Sequence, residues 1–527
     1  MFDVLIRRGH IVDGCGNPWV KADLGVVNGK IEAIGNLAGE SGSKKIDAKS
    51  LIVTPGFIDM HSHSDFYVLL NPYGESKIFQ GITTEVVGNC GDSAAPMNDR
   101  LRAYREKYMR QELGPDFKLD WSSMKEYMER INEKGASFNV APLVGQGTVR
   151  ANVMGFEDRK PTDTEMKKMC SLVAKSMEDG AWGLSTGLIY MPGCYTETDE
   201  IVSLARVAAK YCGIYASHIR GEGETLLQAV NEAVEIGEKA NIPVEISHFK
   251  AFGRKYWGMT KESLRLVEEA RAKGIDVTVD QYPYLAGSTG LATLLPYWAQ
   301  EGGKDVLLER LKDPETRKKI KEDFNLVERE WDQVKIVFAE KHPQFTGKSI
   351  VEIAKIEDED PSNTVFDLLV EEQASVAIVV FGISEEDGRR VMKSPYMMVG
   401  TDGSAVSPKG ILGRGKTHPR FYGTFPRILG RYVREEKVLT LQEAVRKMTS
   451  MPAQKIGLRD RGLLREGMVA DIVIFDAGKI TDEATYTDPH RFPSDIHYVI
   501  VNGEIVVRRN RHTRVLPGRT LKKTDYT

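Results

Sequence analysis

Residue types that bind metal ions recur along this 527-residue chain at the places where short apolar runs end. One run ends in Asp59-Met-His61-Ser-His63, and residues two apart in an extended segment point to the same side. His61 and His63 are therefore placed to hold one ion. The residues that follow other apolar runs are Cys90, His218, His248 and Asp402. Imidazole, thiolate and carboxylate are ligand types that zinc favours, so the set predicts a zinc site.

Each of these residues also has a structural interpretation. A single histidine after a strand is more often a hydrogen-bonded structural residue than a metal ligand. Cys90 alone would be expected to pack in the core, and Asp402 alone would be expected to cap a turn before Gly403. However, the chain has only 10 histidines, and four of them fall at predicted strand ends. The combination therefore favours a metal site.

Strand-like apolar runs alternate with helical segments along the middle of the chain, and these elements are predicted to bring the candidate ligands together. Apolar residues spaced three and four apart predict helices, for example over 165–177 and 225–240. Eight strand-like runs with helical segments between most of them predict an α/β fold, a (β/α)8 TIM-like barrel. In such a barrel the carboxyl ends of the parallel strands meet at one mouth, which forms the active face. The predicted strands are 51–60, 83–87, 139–144, 181–185, 214–217, 244–247, 276–279 and 397–400.

The gap between residues 284 and 397 is too long for one crossover connection. Charged helical sequence at 305–322 predicts an insertion late in the barrel, at about 288–343. A strand-like run at 375–381 also lies in this gap, which leaves the assignment of the last strands open. The insertion is expected to be either a lid over the mouth or a passive addition.

The two ends of the chain share a pattern of short apolar strands and tight turns. Asn28-Gly29 and Asn502-Gly503 each stand between two apolar runs, which is a strong hairpin signal. Neither end could bury a sheet face alone, so we expect both termini to form one small β-sandwich domain. The predicted domains are 1–54 with 450–527 for the sandwich and 55–449 for the catalytic barrel.

Composition limits the partners. A formal net charge of -3 and a pI of about 6.4 give no basic surface for nucleic acid. No apolar stretch approaches the roughly 20 residues that cross a bilayer, so no membrane partner is expected. The five cysteines form no C-x-x-C pair, which predicts reduced thiols and a cytoplasmic location. A small-molecule substrate remains as the expected partner, and the oligomeric state stays open.

Six stretches of the chain carry a family resemblance: His61-Ser-His63-Ser-Asp65, Val87-Gly-Asn-Cys90-Gly, Gly183-Leu-Ser-Thr-Gly-Leu-Ile-Tyr190, Ser217-His218-Ile-Arg220, Ser247-His248-Phe-Lys250 and His418-Pro-Arg-Phe-Tyr-Gly-Thr-Phe425. They resemble the amidohydrolase superfamily and, within it, the D-aminoacylase (N-acyl-D-amino-acid deacylase) family. Many amidohydrolases bridge two metals with a carboxylated lysine after the fourth strand, but residues 181–190 contain no lysine. In D-aminoacylases a cysteine of the second strand serves instead, and Cys90 matches it.

The resemblance implies zinc-dependent hydrolysis of the amide bond of N-acyl-D-amino acids. It implies one tightly bound zinc on Cys90, His218 and His248. It also implies a second, weaker site on His61, His63 and Asp402, with Cys90 as a bridge and Asp402 as the general acid and base. The residues that it implies for substrate binding are Tyr190, Lys250, Tyr282, Ser288 and Arg414. Gln146 departs from the family, in which a histidine is expected.

The sequence after Ser288 predicts which type of substrate side chain the site accepts. The run after Ser288 has no basic residue and is followed by Tyr297 and Trp298, which predicts a pocket for neutral hydrophobic side chains. A cyclic-amide hydrolase, such as a dihydropyrimidinase or dihydroorotase, would be expected to need the bridging lysine. A non-catalytic scaffold with this fold would be expected to lose metal ligands, whereas this chain keeps all six candidates.

Overall fold

The computed structural model describes residues 1–526, and at its centre parallel strands follow one another in chain order. The eighth strand returns to the first, because the amide of Met60 donates to the carbonyl of Val399 and Ser62 forms a parallel bridge with Gly403. The ring is therefore closed, and the predicted barrel is confirmed. Its strands are Phe57–Asp59, Ile82–Val87, Asn139–Pro142 continued by Val144–Gly145, Gly183–Gly187, Ile214–His218, Val244–Ile246, Val277–Gln281 and Met397–Val399.

Helices cover the outside of the ring, and five of them begin at a side-chain cap. In the helix Asp163–Glu178, the Thr162 hydroxyl accepts from the Glu165 amide at 3.3 Å and the Glu165 carboxylate accepts from the Thr162 amide at 2.8 Å. No described helix is both long enough and apolar enough to cross a lipid bilayer. The barrel helices are Tyr67–Leu70, Glu75–Ile78, Asp99–Leu113, Met124–Lys134, Gln146–Met154, Asp163–Glu178, Thr198–Ala209, Leu226–Ala240, Thr260–Ala272, Glu385–Lys393, Arg420–Arg427, Leu441–Met448 and Ser450–Ile456.

Strands from both termini form one nine-stranded sheet. The strand Ile472–Phe475 pairs antiparallel with Ile52–Pro55 and so joins the two ends of the chain. Both predicted hairpins form, and their turns meet, since a Cβ atom on Gly503 would lie 2.5 Å from the Cα of Gly29. The sheet therefore curls back around a shared core. Its strands are Phe2–Ile11, Val20–Val27, Lys30–Gly35, Gly42–Asp47, Ile52–Pro55, Ile472–Phe475, Ile496–Val501, Glu504–Arg508 and Arg511–His512.

The predicted domain boundary at residue 450 cuts off a helix that packs with the barrel. Met451 and Ile456 of the helix Ser450–Ile456 share an apolar cluster with Ile58 of the first barrel strand and with Met60 just after it. Strands of the terminal sheet resume only at Ile472. A helix this short has no sequence feature that assigns it to one domain or the other.

The insertion is longer than the predicted 288–343 and has its own sheet and core. The run at 375–381 forms the strand Ala377–Phe381, which pairs antiparallel with Ala286–Gly290 and Val334–Phe338. The insertion therefore extends to Phe381. Its run of apolar residues has the same composition as a barrel strand, although only Ile378 and Val379 are fully buried. The insertion helices are Tyr297–Gln300, Lys304–Lys312, Pro314–Phe324, Ile350–Glu357 and Pro361–Glu371.

Candidate metal centre and active site

Cys90 lies where two groups of candidate metal ligands meet at the barrel mouth. Its Sγ atom is 3.7 Å from Nδ1 of His218 and 3.7 Å from Nε2 of His248. Two ligands of a tetrahedral zinc, with a Zn–S bond of about 2.3 Å and a Zn–N bond of about 2.0 Å, lie roughly 3.5 Å apart. The spacing and donor chemistry of this group therefore fit a zinc ion.

The second group consists of His61 and His63 with the same cysteine. Nε2 of His61 lies 3.4 Å from the Cys90 sulfur, and all three ligand atoms lie within 4.8 Å of one another. Asp402 adjoins this group, because its Oδ1 atom is 3.1 Å from Nε2 of His63 and 3.7 Å from Nε2 of His61. All six candidate ligands are thus brought together, and Cys90 is placed to serve both groups.

Three of these residues adopt a backbone conformation that is rare for residues other than glycine. Their φ angles are 53° at Cys90, 36° at His248 and 49° at Asp402. A non-glycine residue in this region costs about 1–3 kcal/mol and persists only where its surroundings hold it. Each of these residues follows the end of a barrel strand by two or three residues, where the change of backbone direction turns the side chain toward the mouth.

Two carboxylates that the sequence analysis missed orient the histidines. Asp280 accepts from Nδ1 of His61 at 3.1 Å and from the backbone amide of His248 at 2.8 Å. Glu222 lies 3.0 Å from Nδ1 of His248. A carboxylate on one ring nitrogen fixes the tautomer and leaves the other nitrogen for a metal. Asp280 stands near the end of the seventh strand, so a search for strand-end carboxylates would have found it.

The electrostatic environment keeps the cysteine and the aspartate ionised. Burial alone would raise the pKa of the Cys90 thiol, but the facing His61, His218 and His248 hold that pKa well below its usual range. Burial would also raise the pKa of Asp402, but the Arg420 guanidinium and His63 hold it well below its usual range. The site therefore offers a thiolate ligand and a carboxylate that can accept a proton.

A cavity of about 580 Å³ borders this cluster, and the residues that face it include His63, Cys90, Asp402 and Arg420. A model described as the amidohydrolase family matches residues 44–507 of the chain. The chain belongs to the amidohydrolase family.

Three relatives show which branch of the family the chain resembles. It is 35% identical over 523 residues to a D-aminoacylase of Alcaligenes xylosoxydans xylosoxydans, covering 99% of this chain and 98% of the relative. It is also 35% identical to an N-acyl-D-glutamate deacylase of the same organism, covering 99% and 96%. The crystal structure of N-acyl-D-glutamate deacylase from Bordetella bronchiseptica, complexed with zinc and a phosphonate mimic of the tetrahedral intermediate, matches with a TM-score of 0.84 at 33% identity and covers 99% of each chain.

These comparisons confirm the predicted D-aminoacylase family, the predicted fold and the prediction that this amidohydrolase is an enzyme. The alternative of a non-catalytic scaffold is not supported, because the relatives are enzymes that match the chain from end to end. The alternative of a cyclic-amide hydrolase is also disfavoured, since the two relatives that are 35% identical to the chain are named D-aminoacylase and N-acyl-D-glutamate deacylase.

The residues proposed to bind substrate do not all lie together in this amidohydrolase. Lys250 is buried beside the metal cluster, but its ammonium group is paired with Glu222 and lies 2.9 Å from Nδ1 of His248. Tyr282 is buried next to it, and the ring of Tyr190 packs edge-on against His218 with ring centroids 5.0 Å apart. Ser288 lies on the first insertion strand, where its hydroxyl donates to the carbonyl of Ile378 at 2.9 Å.

Arg414 lies away from the cluster. Its guanidinium pairs with Glu340 at 2.8 Å and donates to the backbone carbonyls of Gln111 and Glu112 at 2.9 and 2.8 Å. These contacts tie together the insertion, the helix Asp99–Leu113 and the loop after the last barrel strand. The structure thus gives Arg414 a bridging position between segments.

Arg420 occupies the position at the mouth that Arg414 was predicted to fill. Its Nη1 atom lies 2.7 Å from Oδ2 of Asp402, and its guanidinium stacks on the ring of Tyr282 at 4.6 Å. Its Nε atom is buried and has no hydrogen-bond partner within residues 1–526. The backbone amide of Arg420 donates to Nδ1 of His418 at 2.9 Å, which fixes the start of its helix. Its motif carried the family resemblance, although the arginine itself was not singled out.

Gln146 stands at the start of a helix behind the mouth. Its amide nitrogen donates to Thr196 at 2.8 Å and to Glu200 at 3.3 Å. These bonds connect the loop after the third strand to the segment after the fourth. Gln146 therefore braces the wall of the mouth in this enzyme.

A fully buried lysine holds the strands together beneath the metal cluster. Nζ of Lys77 lies 2.8 Å from Asp59 and 3.0 Å from Glu85, on the first and second strands. It also donates to the Thr401 hydroxyl at 2.7 Å and to the carbonyl of Gly403 at 2.9 Å. These last two bonds flank Asp402. Lys77 therefore fixes the segment that presents Asp402 against the strand that presents His61 and His63.

Replacing Lys77 with methionine is expected to lower the free energy of unfolding by about 3–5 kcal/mol. The change leaves Asp59 and Glu85 buried without their cation, and both side chains are fully shielded from solvent. Urea titration of the purified variant measures the loss. The matched control is Lys44→Met, which breaks an exposed pair with Glu504 and should cost at most about 1 kcal/mol. Equal losses in the two variants would contradict the role given to Lys77.

Proposed function

We propose that this amidohydrolase is a zinc-dependent N-acyl-D-amino-acid deacylase, which hydrolyses the amide to a carboxylic acid and a D-amino acid. The observation that carries the proposal is the position of Cys90, whose sulfur lies 3.4–3.7 Å from His61, His218 and His248. Relatives named for deacylation of D-amino acids match the chain from end to end, which supports the same substrate class here.

The residues proposed to hold the tightly bound zinc are Cys90, His218 and His248. His61, His63 and Asp402 are proposed as a second, weaker site that shares Cys90. A bound zinc polarises a substrate carbonyl and lowers the pKa of water from 15.7 to about 7.

Asp402 is proposed to move the proton. Its carboxylate is ionised, faces the cavity and lies within 3.1 Å of His63. It accepts a proton from the water that attacks the amide carbonyl. When the C–N bond breaks, it gives that proton to the leaving nitrogen, so that one water is consumed for each amide cleaved.

Arg420 is proposed to bind the α-carboxylate of the substrate, with Lys250 and Tyr282 behind it. Of these three side chains, Arg420 is the one that faces the cavity. Its pairing with Asp402 holds the guanidinium in place, and a guanidinium fork suits bidentate contact with a carboxylate. Tyr190 and Ser288 are proposed as further contacts, because Tyr190, Ser288 and Arg420 face the same cavity.

N-acyl-D-amino acids with neutral hydrophobic side chains are proposed as the preferred substrates. The residues that support this preference differ from those predicted from the sequence. Leu291 and Leu295 pack in the core of the insertion, and Tyr297 lies at a separate surface depression. The ring of Tyr190, which packs against His218, faces the cavity instead, and the cavity residue Arg105 is already paired with Asp92. Hydrolysis of N-acetyl-D-glutamate as fast as N-acetyl-D-methionine would contradict this preference.

A small-molecule N-acyl amino acid is the proposed partner. A cytoplasmic location is proposed because the cysteines are not paired in disulfides. All five cysteines are unpaired in the structure, and Cys90 needs a free thiolate for the proposed chemistry. A reducing compartment keeps such thiols available.

Removal of zinc is expected to abolish hydrolysis of N-acetyl-D-methionine, and one equivalent of zinc should restore most of it. The physical reason is that carbonyl polarisation and acidification of water both require the ion. Release of free amine is measured before chelation, after chelation and during titration with zinc. Full activity in protein shown by elemental analysis to be free of metal would overturn the proposal.

A further inference from the structure

We infer that this active site accepts an extended apolar N-acyl chain, which lies in a cleft between the insertion and the barrel. The inference rests on the proposed function and names the substrate class of the same site. It depends on the size, the chemistry and the direction of the cleft.

The cleft is larger than a short acyl group requires. The cavity of about 580 Å³ at the metal cluster adjoins a second cavity of about 360 Å³. The larger one alone has the volume of a pocket for a drug-sized ligand, roughly 300–1,000 Å³. Residues from the barrel and from the insertion face both cavities, so the two lie side by side: Tyr67, Tyr108, Met109, Lys304, Ala377 and Phe421.

The walls of the cleft are mainly apolar and aromatic, and most charged groups on them already have partners. The Arg105 guanidinium is paired with Asp92, and Glu112 accepts from the Tyr67 hydroxyl. The Lys304 ammonium group lies over the ring of Tyr108 at 4.6 Å. Apolar residues in the wall of the larger cavity include Phe66, Leu101, Ala151 and Phe156.

The position of the cleft relative to Arg420 indicates that the cleft holds the acyl group of the substrate. Arg420, Lys250 and Tyr282 follow the last three strands of the ring, so the α-carboxylate lies on that side of the metal cluster. The wall of the larger cavity comes mostly from segments after the first four strands, among them the helix Asp99–Leu113. A substrate with its carboxylate on Arg420 and its amide at the cluster therefore extends its acyl chain into the cleft.

A series of N-acyl-D-methionines with acetyl, hexanoyl and decanoyl groups tests the inference on the zinc-loaded enzyme. Each buried methylene is worth up to about fourfold in kcat/KM, so we expect at least a tenfold rise from acetyl to decanoyl. Hydrolysis of N-acetyl-D-methionine with no rise along the series would overturn the inference and leave the proposed function standing. Hydrolysis of none of the compounds would overturn both. An N-glutaryl substrate that outperforms N-hexanoyl would show that Lys304 selects a carboxylate, and it would also overturn the apolar assignment.

A variant that narrows the cleft provides a second test. Ala377→Trp adds a bulky ring on a wall that both cavities share, at a residue that is not a proposed metal ligand. It should lower kcat/KM for the decanoyl substrate at least tenfold and leave the acetyl substrate within about twofold. The matched control is Ile356→Trp on an insertion helix, where the side chain is 56% exposed, and it should change neither value. Equal decanoyl activity in both variants would overturn the inference.

Discussion

Replacement of Asp402 with asparagine is expected to lower kcat for N-acetyl-D-methionine by about 10²–10⁴-fold and to leave the tightly bound zinc in place. Asparagine keeps the shape of the side chain but cannot take a proton from water. The tight zinc should remain because Cys90, His218 and His248, which are proposed to hold it, are unchanged. The rate of amine release and the zinc content per chain are measured on the same preparation.

The control for this variant is Asp305→Asn, which alters an exposed carboxylate of the insertion and should keep both activity and zinc. Near-normal turnover in Asp402→Asn would exclude Asp402 as the proton carrier. Loss of the tight zinc together with activity would instead make Asp402 a ligand of that zinc.

Replacement of Cys90 with serine is expected to remove the tight zinc and, with it, the activity. The sulfur is the atom that both ligand groups share, and the serine hydroxyl is not ionised at neutral pH. Loss of a partner that only orients a ligand costs 10–100-fold in metal affinity, so loss of the thiolate itself should cost roughly 10³-fold or more. Competition with a chelator of known affinity measures the change.

Cys170→Ser is the control for this variant, because Cys170 is a free and partly exposed thiol on an outer helix. It should bind zinc like the unaltered enzyme. A Cys90→Ser protein with one tight zinc and full turnover would instead support the interpretation of Cys90 as a packing residue.

The barrel and the metal cluster could be predicted from the sequence because the barrel topology itself brings the strand ends together. His61 and His63 are two residues apart after one strand, and the other candidate ligands follow other strands of the same ring. In a closed parallel barrel these ends must converge, so no knowledge of tertiary contacts is needed. The Asn-Gly hairpins were predictable for a similar reason, since their turn type depends on two adjacent residues.

The parts that were missed depend on contacts between distant residues. Lys77 reaches Glu85 and Thr401, and no local pattern separates it from an exposed helical lysine. Arg414 and Arg420 are six residues apart in an irregular loop and the helix after it, so spacing alone could not show which of them faces Asp402. The end of the insertion was missed because Ala377–Phe381 has the same apolar sequence character as a barrel strand.

The most direct test of the account is the release of free amine from N-acetyl-D-methionine and N-acetyl-L-methionine by the zinc-loaded enzyme, measured side by side. The account predicts rapid hydrolysis of the D compound and little or none of the L compound. Hydrolysis of the L compound at an equal or higher rate, or of neither compound, would contradict it.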